Sequence, residues 1–309
     1  MSEGFGEIKL VPRREIDLDK WEKLVGESAN AIFMSHWYLD SVMENWSAFV
    51  LNDYELAFPI KISKKAGFNY TLQPLFIRAF TVLGQSQKTS RFYAEILKRF
   101  NFLQLNVTEN EPVSNLEMAK FSAVYQFLPF EEEYEQLRKN YSENTRRKLK
   151  DFNKSNAQFT TIQDVSLLIN LFKKEKGEQF EHLTVDAYRR LEKLMKLALK
   201  FKAGFIEAIE LEDELIAIGF FIRKGNQLLY LKGIVTGKGK KIGAMQALFD
   251  KVIQENQLSC EGLDFGGSSD LGLASFNKKF GASDRNYIIL KQNKMPWPFK
   301  IWVNRKLGI

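Results

Sequence analysis

Histidine and cysteine are nearly missing from this chain of 309 residues; His36, His182 and Cys260 are the only representatives. A clustered zinc site, a Cys-His nucleophile pair and a disulfide framework each need more of these side chains, so no metal is expected. Long apolar runs are scarce too. The longest clean stretch is Ile216–Ile222, far short of the roughly 20 residues that cross a bilayer. The opening Met-Ser-Glu-Gly-Phe-Gly-Glu-Ile-Lys-Leu lacks the basic segment followed by an apolar one that marks a secretory signal, and the expected location is the cytoplasm. No low-complexity segment and no short-period repeat is present, which excludes solenoids and propellers.

What is present fits a globular protein. Hydrophobic residues make up 45% and charged residues 27%, enough for a sizeable core at a length that accommodates two domains. Lys and Arg number 45 against 38 Asp and Glu, a net charge of +7. That excess favours anionic partners, among them phosphorylated cofactors and nucleic acid.

The first part of the chain alternates helix and strand signals. A helix from Ser35 to about Glu44, with Ser35 as its cap, is followed by strand runs at Ser47–Leu51, Tyr54–Ile62, Tyr70–Leu75 and Phe80–Leu83. A helix over Thr89–Phe100 and a strand over Phe102–Val107 come next. The segment 131–154 is acidic early and basic late, the polarity that suits one long helix and its dipole. It reads either as a solvated connecting helix or as a basic face toward a bound anion. Helices over Val165–Lys176 and Val185–Lys202 then precede three strands, Gly204–Glu210, Leu215–Ile222 and Leu228–Val235. Their connections are too short for crossover helices, so they form an antiparallel meander. After a helix to about Asn256, a strand at Gly262–Phe265, a helix over Leu273–Phe280 and a strand over Asn286–Lys291 complete the pattern.

The segment between the meander and the helix that follows, Thr236–Ala244, holds three glycines and three lysines. Glycine lets backbone N–H groups approach a ligand, a helix start favours negative charge, and lysines add cations, a combination that can cradle a pyrophosphate. A basic surface turn is the structural alternative. Gly237-x-Gly239-x-x-x-Gly243, with Asp264 lying 21 residues beyond Gly243, imitates a dinucleotide fingerprint, but the fingerprint belongs to a parallel strand–helix–strand unit. No G-x-x-x-x-G-K-[ST] occurs, and Asp264-Phe265-Gly266 has no His-Arg-Asp catalytic loop before it, which removes the P-loop and kinase readings.

The order helix, helix, antiparallel meander, Gly/Lys segment, helix, strand, short helix, strand resembles the GNAT acyltransferase superfamily. Four segments narrow the resemblance to its FemAB-type branch: Tyr141-Ser-Glu-Asn-Thr-Arg-Arg-Lys-Leu-Lys150, Gly243-Ala-Met-Gln-Ala-Leu-Phe249, Leu263-Asp-Phe-Gly-Gly-Ser268 and Gly272-Leu-Ala-Ser-Phe-Asn-Lys-Lys-Phe-Gly-Ala282. The resemblance implies a mixed α/β (α+β) fold of two tandem GNAT-like domains with largely antiparallel sheets. It divides the chain into a diverged domain over 1–130, a connecting helix over 131–154, an acyltransferase domain over 155–292 and an aromatic, basic tail over 293–309.

The implied activity is N-acyl transfer, moving an acyl or aminoacyl group from acyl-CoA or aminoacyl-tRNA to an amine on a small-molecule or peptide-like acceptor, such as a cell-envelope precursor. On this resemblance the donor's pyrophosphate would lie against Ile234, Val235, Thr236, Gly237, Lys238, Gly239, Lys240, Lys241, Ile242, Gly243 and Ala244. Lys241 stands where the usual motif has its central glycine, and no tyrosine occurs between Tyr230 and Tyr287 to protonate a leaving thiolate. A non-catalytic binding module that keeps the fold is the alternative these departures favour.

Acyl transfer needs alignment and donors for the developing oxyanion more than a strong base. The main chain of Tyr230–Val235 is the expected source of those donors. Asp264 is a candidate to orient the amine or take its proton; its alternative role is to accept from the amides of Gly266–Ser268. Alternation places Glu207 on the sheet face shared with Ile209, as a third candidate. Arg146, Arg147 and Lys278, with Lys279, are candidates for an anionic acceptor, and the basic residues of 138–154 for tRNA. His36 reads as packing, and His182 has no assigned role. In the tail, Trp297, Phe299, Ile301, Trp302 and Leu307 mingle with Lys300, Arg305 and Lys306, which suits a membrane interface reached through 295–309 or docking on the tail's own domain.

Overall fold

The computed structural model describes residues 5–65, 67–176, 184–266, 271–297 and 299–301. His182, Gly267, Ser268 and the tail from Trp302 lie outside them. The chain forms two compact units, one of Met1–Ala123 with Asn286–Ile309, the other of Val124–Arg285.

The first unit contains β1 (Ile8–Pro12), α1 (Leu18–Gly26), α2 (Ala31–Met34), α3 (His36–Val42), β2 (Ser47–Leu51), β3 (Leu56–Ile60), β4 (Ser63–Lys65), β5 (Phe68–Leu72), α4 (Thr89–Leu97) and β6 (Phe102–Thr108). Strands β1, β2 and β3 form an antiparallel sheet. Burial of Trp21, Trp46, Tyr38 and Phe49 fixes its helical cover. Ser35 stands at the N-cap of α3 as expected but makes no side-chain cap bond; its hydroxyl donates to the Ala31 carbonyl at 2.8 Å. His36 Nδ1 stands 2.7 Å from Glu22 Oε1 at the start of α3, a packed pair as the sequence implied. The expected strand at Phe80–Leu83 makes only isolated bridges, Phe80 to Val107 and Leu83 to Ala57.

The chain enters the second unit within β7 (Ala119–Pro129). There it forms α5 (Tyr134–Lys139), α6 (Glu143–Asn153), β8 (Gln158–Thr161), α7 (Val165–Lys176), α8 (Val185–Lys200), β9 (Gly204–Leu211), β10 (Glu214–Lys224), β11 (Gln227–Val235), α9 (Gly237–Ile242), α10 (Ala244–Asn256), β12 (Gly262–Asp264) and α11 (Leu271–Lys278). It returns to the first unit within β13 (Ser283–Asn293), which pairs antiparallel with β6.

The single connecting helix expected over 131–154 is two helices. Ser142 interrupts it: its main-chain N–H donates to the Lys279 carbonyl at 2.8 Å, and its hydroxyl caps α6 by accepting from Thr145 N–H at 3.1 Å. Nor does the segment merely connect, because Leu137, Tyr141, Leu149 and Phe152 are buried in the second unit's core. Apolar spacing that the sequence could not assign to a partner is satisfied by α10, against which α6 packs.

Strands of the second unit lie in the order β7, β12, β11, β10, β9, β8. The meander of β9, β10 and β11 is antiparallel as expected, and β12 joins β11 in parallel. Helix α8 begins at Thr184, whose hydroxyl accepts from Ala187 N–H, and buries Ala187, Leu191, Leu194, Met195 and Ala198 along one side. On the α10 side, Phe249 is the centre of an aromatic cluster with Phe221, Tyr230, Phe265, Phe276 and Phe280. Among the described residues no helix is long and apolar enough to cross a membrane, and no group of His, Cys, Asp and Glu is placed to hold a metal.

Candidate functional site

Strands β11 and β12 run together only where Gln227–Leu229 faces Gly262–Asp264. β12 ends there, while β11 continues through Tyr230–Val235. Leu231 is the extra residue of a bulge, since Phe220 of β10 faces Lys232 and Phe221 faces Tyr230. A bulge turns the strand and re-aims its groups. The result is a parting of two parallel strands, whose pairing ends at Leu229 and Asp264 while β11 runs on to Val235.

Gly266 adopts a left-handed conformation, φ 82°, immediately after β12. A Cβ there would stand 2.7 Å from the Tyr230 carbonyl oxygen, so only glycine lets the turn approach β11 where the strands separate. Asp264 Oδ1 accepts from Gly266 N–H at 2.8 Å. That carboxylate therefore shapes the turn at the mouth of the cleft, the structural role weighed for it from sequence.

The side chain of Tyr230 is core. Its ring lies 4.8 Å from that of Phe249, and its hydroxyl fills the space above Gly233, 2.5 Å from where a Cβ would stand. Burial raises its phenol pKa. What Tyr230 offers the cleft is main chain. Glu207 lies elsewhere: it pairs with Gly219 of β10, which in turn pairs with Gly233 of β11, on the far side of β10 from the cleft. Burial raises the Glu207 carboxyl pKa against the opposing pull of Lys251, whose Nζ is 2.9 Å from Oε2. Together they face a separate cavity of about 610 Å³ lined by Phe159, Leu199, Lys202 and Phe205. The three expected catalytic positions thus do not converge: Asp264 and Tyr230 are neighbours, and Glu207 is not with them.

The Gly/Lys segment is not an open loop. Gly237–Ile242 coil into α9, capped by Thr236, whose hydroxyl accepts from Gly239 N–H at 3.2 Å. A Cβ at Gly239 would meet the Ile216 carbonyl oxygen at 2.5 Å, and one at Gly243 would meet Lys148 Cβ and O at 2.7 Å. Those glycines admit neighbouring protein rather than a ligand. Gly243, at φ 81°, is the left-handed joint between α9 and α10, and Ala244 behind it is buried. Lys148 Nζ donates to the Lys241 carbonyl at 2.5 Å, and Lys238 Nζ pairs with Glu214 Oε2 at 2.6 Å. Ile234 is buried in β11, and Val235 Cγ2 packs at Gly239. At Gly239 and Gly243 the space of the expected cradle is taken by Ile216 and by Lys148 of α6, whereas a Cβ at Gly237 would meet nothing within 4 Å.

Of the expected acceptor-binding cations, Arg146 caps α5, donating through Nη1 to the carbonyls of Lys139 at 2.9 Å and Tyr141 at 2.5 Å. Lys278 Nζ pairs with Asp284 Oδ2 at 2.6 Å. Arg147 is exposed and donates to Asn144 Oδ1 at 2.9 Å. With Lys150 and Lys154, also exposed, it makes one basic stripe along α6 at helical spacing. Lys240 and Lys241 of α9 are likewise exposed.

Sequence reasoning missed Lys232, one residue past the bulge. Its Nζ sits 3.9 Å from the centroid of the Phe172 ring on α7, and burial lowers its pKa to about 8. A lysine inside the apolar run Leu228–Val235 was the visible signal.

Comparison with solved structures shows the same arrangement. A crystal structure of FemX superposes with a TM-score of 0.69 at 10% identity, covering 98% of this chain and 100% of that one. The fold is GNAT-like, of the FemAB type. L-PGS from Bacillus licheniformis gives a TM-score of 0.56 at 13% identity, covering 99% of each chain. A tandem GNAT protein from the clavulanic acid biosynthesis pathway gives 0.55 at 11%, covering 94% of this chain and 99% of that one. No family model matches the chain, and no curated protein matches it in sequence. At these identities the likeness carries the fold alone, and function rests on the site.

Proposed function

We propose that this chain is an N-acyltransferase whose donor is an aminoacyl-tRNA rather than acyl-CoA and whose acceptor is an amine. The observation that carries the reading is the parting of β11 from β12 beside a bulge. There the β11 main chain runs on past the end of β12, a place where a substrate carbonyl could lie in line and fixed backbone donors would stabilise its developing oxyanion without reorganisation. In the proposed step the amine nitrogen attacks the ester carbonyl carbon. The C–N bond forms, the ester C–O bond breaks, and the proton lost by nitrogen ends on the departing ribose oxygen. No cysteine or histidine is needed, in accord with their scarcity.

The choice of donor is supported by the packing of Gly243 against Lys148, by the exposed stripe of Arg147, Lys150 and Lys154, and by exposed Lys240 and Lys241 on α9. A nucleic-acid backbone needs such a spread of cations, whereas a diphosphate needs convergent amides. The test is filter binding of a mixed aminoacyl-tRNA pool across a salt series, alongside thermal unfolding with acetyl-CoA. We expect tight, salt-sensitive binding of charged tRNA, weakened about tenfold or more by Arg147→Glu with Lys150→Glu, and no shift with acetyl-CoA. Stabilisation by acetyl-CoA with no tRNA binding at low salt would overturn the reading. Binding of charged tRNA without faster ester consumption when amines are added would favour the second reading, a non-catalytic module.

A further inference from the structure

Two stretches of the first unit carry no acidic residue. Between Glu55 and Glu95 the chain carries Lys61, Lys64, Lys65, Arg78, Lys88 and Arg91 and neither Asp nor Glu. From Asn286 onward it carries Lys291, Lys294, Lys300, Arg305 and Lys306 and again no acid.

Parts of both segments meet beside β5. Lys64 and Lys65 of β4 are exposed and pair across the hairpin with Asn69 and Phe68. Lys294 N–H donates to the Asn101 carbonyl at 2.6 Å, and Asn101 N–H donates to the Asn69 carbonyl at 2.9 Å. These bonds tie the chain leaving β13 to the start of β5. It then closes into a turn: Lys300 N–H donates to the Pro296 carbonyl at 3.1 Å, and Asn293 Nδ2 donates to the Lys300 carbonyl at 2.9 Å.

What this anchored turn displays is apolar. Trp297 is 79% exposed, Phe299 49% and Ile301 48%, and the Phe299 ring lies 6.4 Å from that of Phe68. Leu72 and Leu75 stand out from the end of β5 and the residues after it. The turn thus spends its hydrogen bonds on holding large apolar side chains in water, with ammonium groups beside them.

We propose that this face docks on an anionic lipid surface, seating Trp297, Phe299 and Ile301 among the headgroups while Lys64, Lys65, Lys294 and Lys300 meet the lipid phosphates. Aromatic rings are favoured at headgroup depth, lysine stems lie along apolar surface with their charges in the polar layer, and each cation near the surface adds attraction. The lysines alone would also suit a nucleic acid, but Ile301, Leu72 and Leu75 would gain nothing from one. A second copy of this face would meet like charge with like.

Flotation of the full chain decides it, using vesicles of phosphatidylcholine alone and of phosphatidylcholine with phosphatidylglycerol in equal parts. The expected result is recovery with the phosphatidylglycerol vesicles only, lost at high salt. Lys64→Gln with Lys65→Gln and Lys300→Gln should weaken partitioning about tenfold or more. Trp297→Ala with Phe299→Ala should abolish flotation while leaving the unfolding midpoint unchanged, because both side chains are exposed. Failure of the natural chain to float with either vesicle overturns the proposal, as does equal flotation of the natural chain and both variants. Loss of bulk tRNA binding by the lysine variant with flotation unchanged would assign the face to nucleic acid instead. The flotation outcomes do not depend on whether α6 binds charged tRNA.

Discussion

Gly243→Ala separates a structural from a ligand-binding role for the Gly/Lys segment. The new methyl group would stand 2.7 Å from both Cβ and O of Lys148. One of these is main chain on a packed helix, so relief requires α6 to move against α10. Overpacking of this kind costs about 1–3 kcal/mol, and holding alanine in the left-handed region adds about 1–2 kcal/mol. Alanine recovers roughly 0.4–1 kcal/mol by restricting the unfolded chain. The net is a destabilisation of about 1–5 kcal/mol, which in a unit of this size lowers the unfolding midpoint by roughly 2–20 °C. Gly237→Ala is the control, because a Cβ there meets nothing within 4 Å; its expected change is within about 0.5 kcal/mol. Urea unfolding followed by tryptophan fluorescence and far-UV circular dichroism measures both. A Gly243→Ala variant as stable as the natural chain would refute the packing argument at Gly243. So would a larger loss at Gly237 than at Gly243.

Three further outcomes follow from the same geometry. Phe249→Ala removes the ring at the centre of the aromatic cluster, itself 1% exposed, and should cost about 3–5 kcal/mol by urea unfolding; a loss below about 1 kcal/mol would mean the cluster collapses into the space. Burial raises the Asp250 carboxyl pKa above its ordinary 3.8, against opposing contributions from Tyr134, Arg138 and Tyr141. The stability tied to that raised value is complete below pH 3.8 and is lost as pH climbs through the folded value. Asp250→Asn, which can still accept from Tyr134, should therefore gain on the natural chain as pH rises, and a constant difference across the pH range would contradict this. Lys232 should titrate near pH 8 by NMR of the reductively methylated protein, well below the other lysines; a value near 10.5 would remove the effect of its burial against Phe172.

Much of the second unit was legible because local signals sufficed. Thr184 starts a helix by accepting from the Ala187 amide, and the short connections of the meander leave antiparallel pairing as the only option; Ser142 was missed, because its main-chain bond to Lys279 is what breaks the helix there. The Gly/Lys segment shows where local reading stops. Its composition fits a ligand cradle and a helical turn equally well, and only the approach of Lys148, distant in sequence, selects the turn. Glu207 was placed on the correct face beside Ile209, yet alternation cannot say which strands lie between it and Asp264. In the first unit the strand at Phe80–Leu83 fails for a similar reason: β-branched and aromatic content permits a strand, but pairing needs a free neighbour along its length.

The sequence alone determined most of the order of elements, since apolar spacing and loop length act over a few residues. Tertiary structure decided which residues come together. The parting of β11 from β12, the packing of Gly243 against Lys148 of α6 and the joining of β4–β5 with the 294–301 turn all bring together segments far apart in the chain. Such contacts depend on which surfaces bury one another, and no local pattern encodes that.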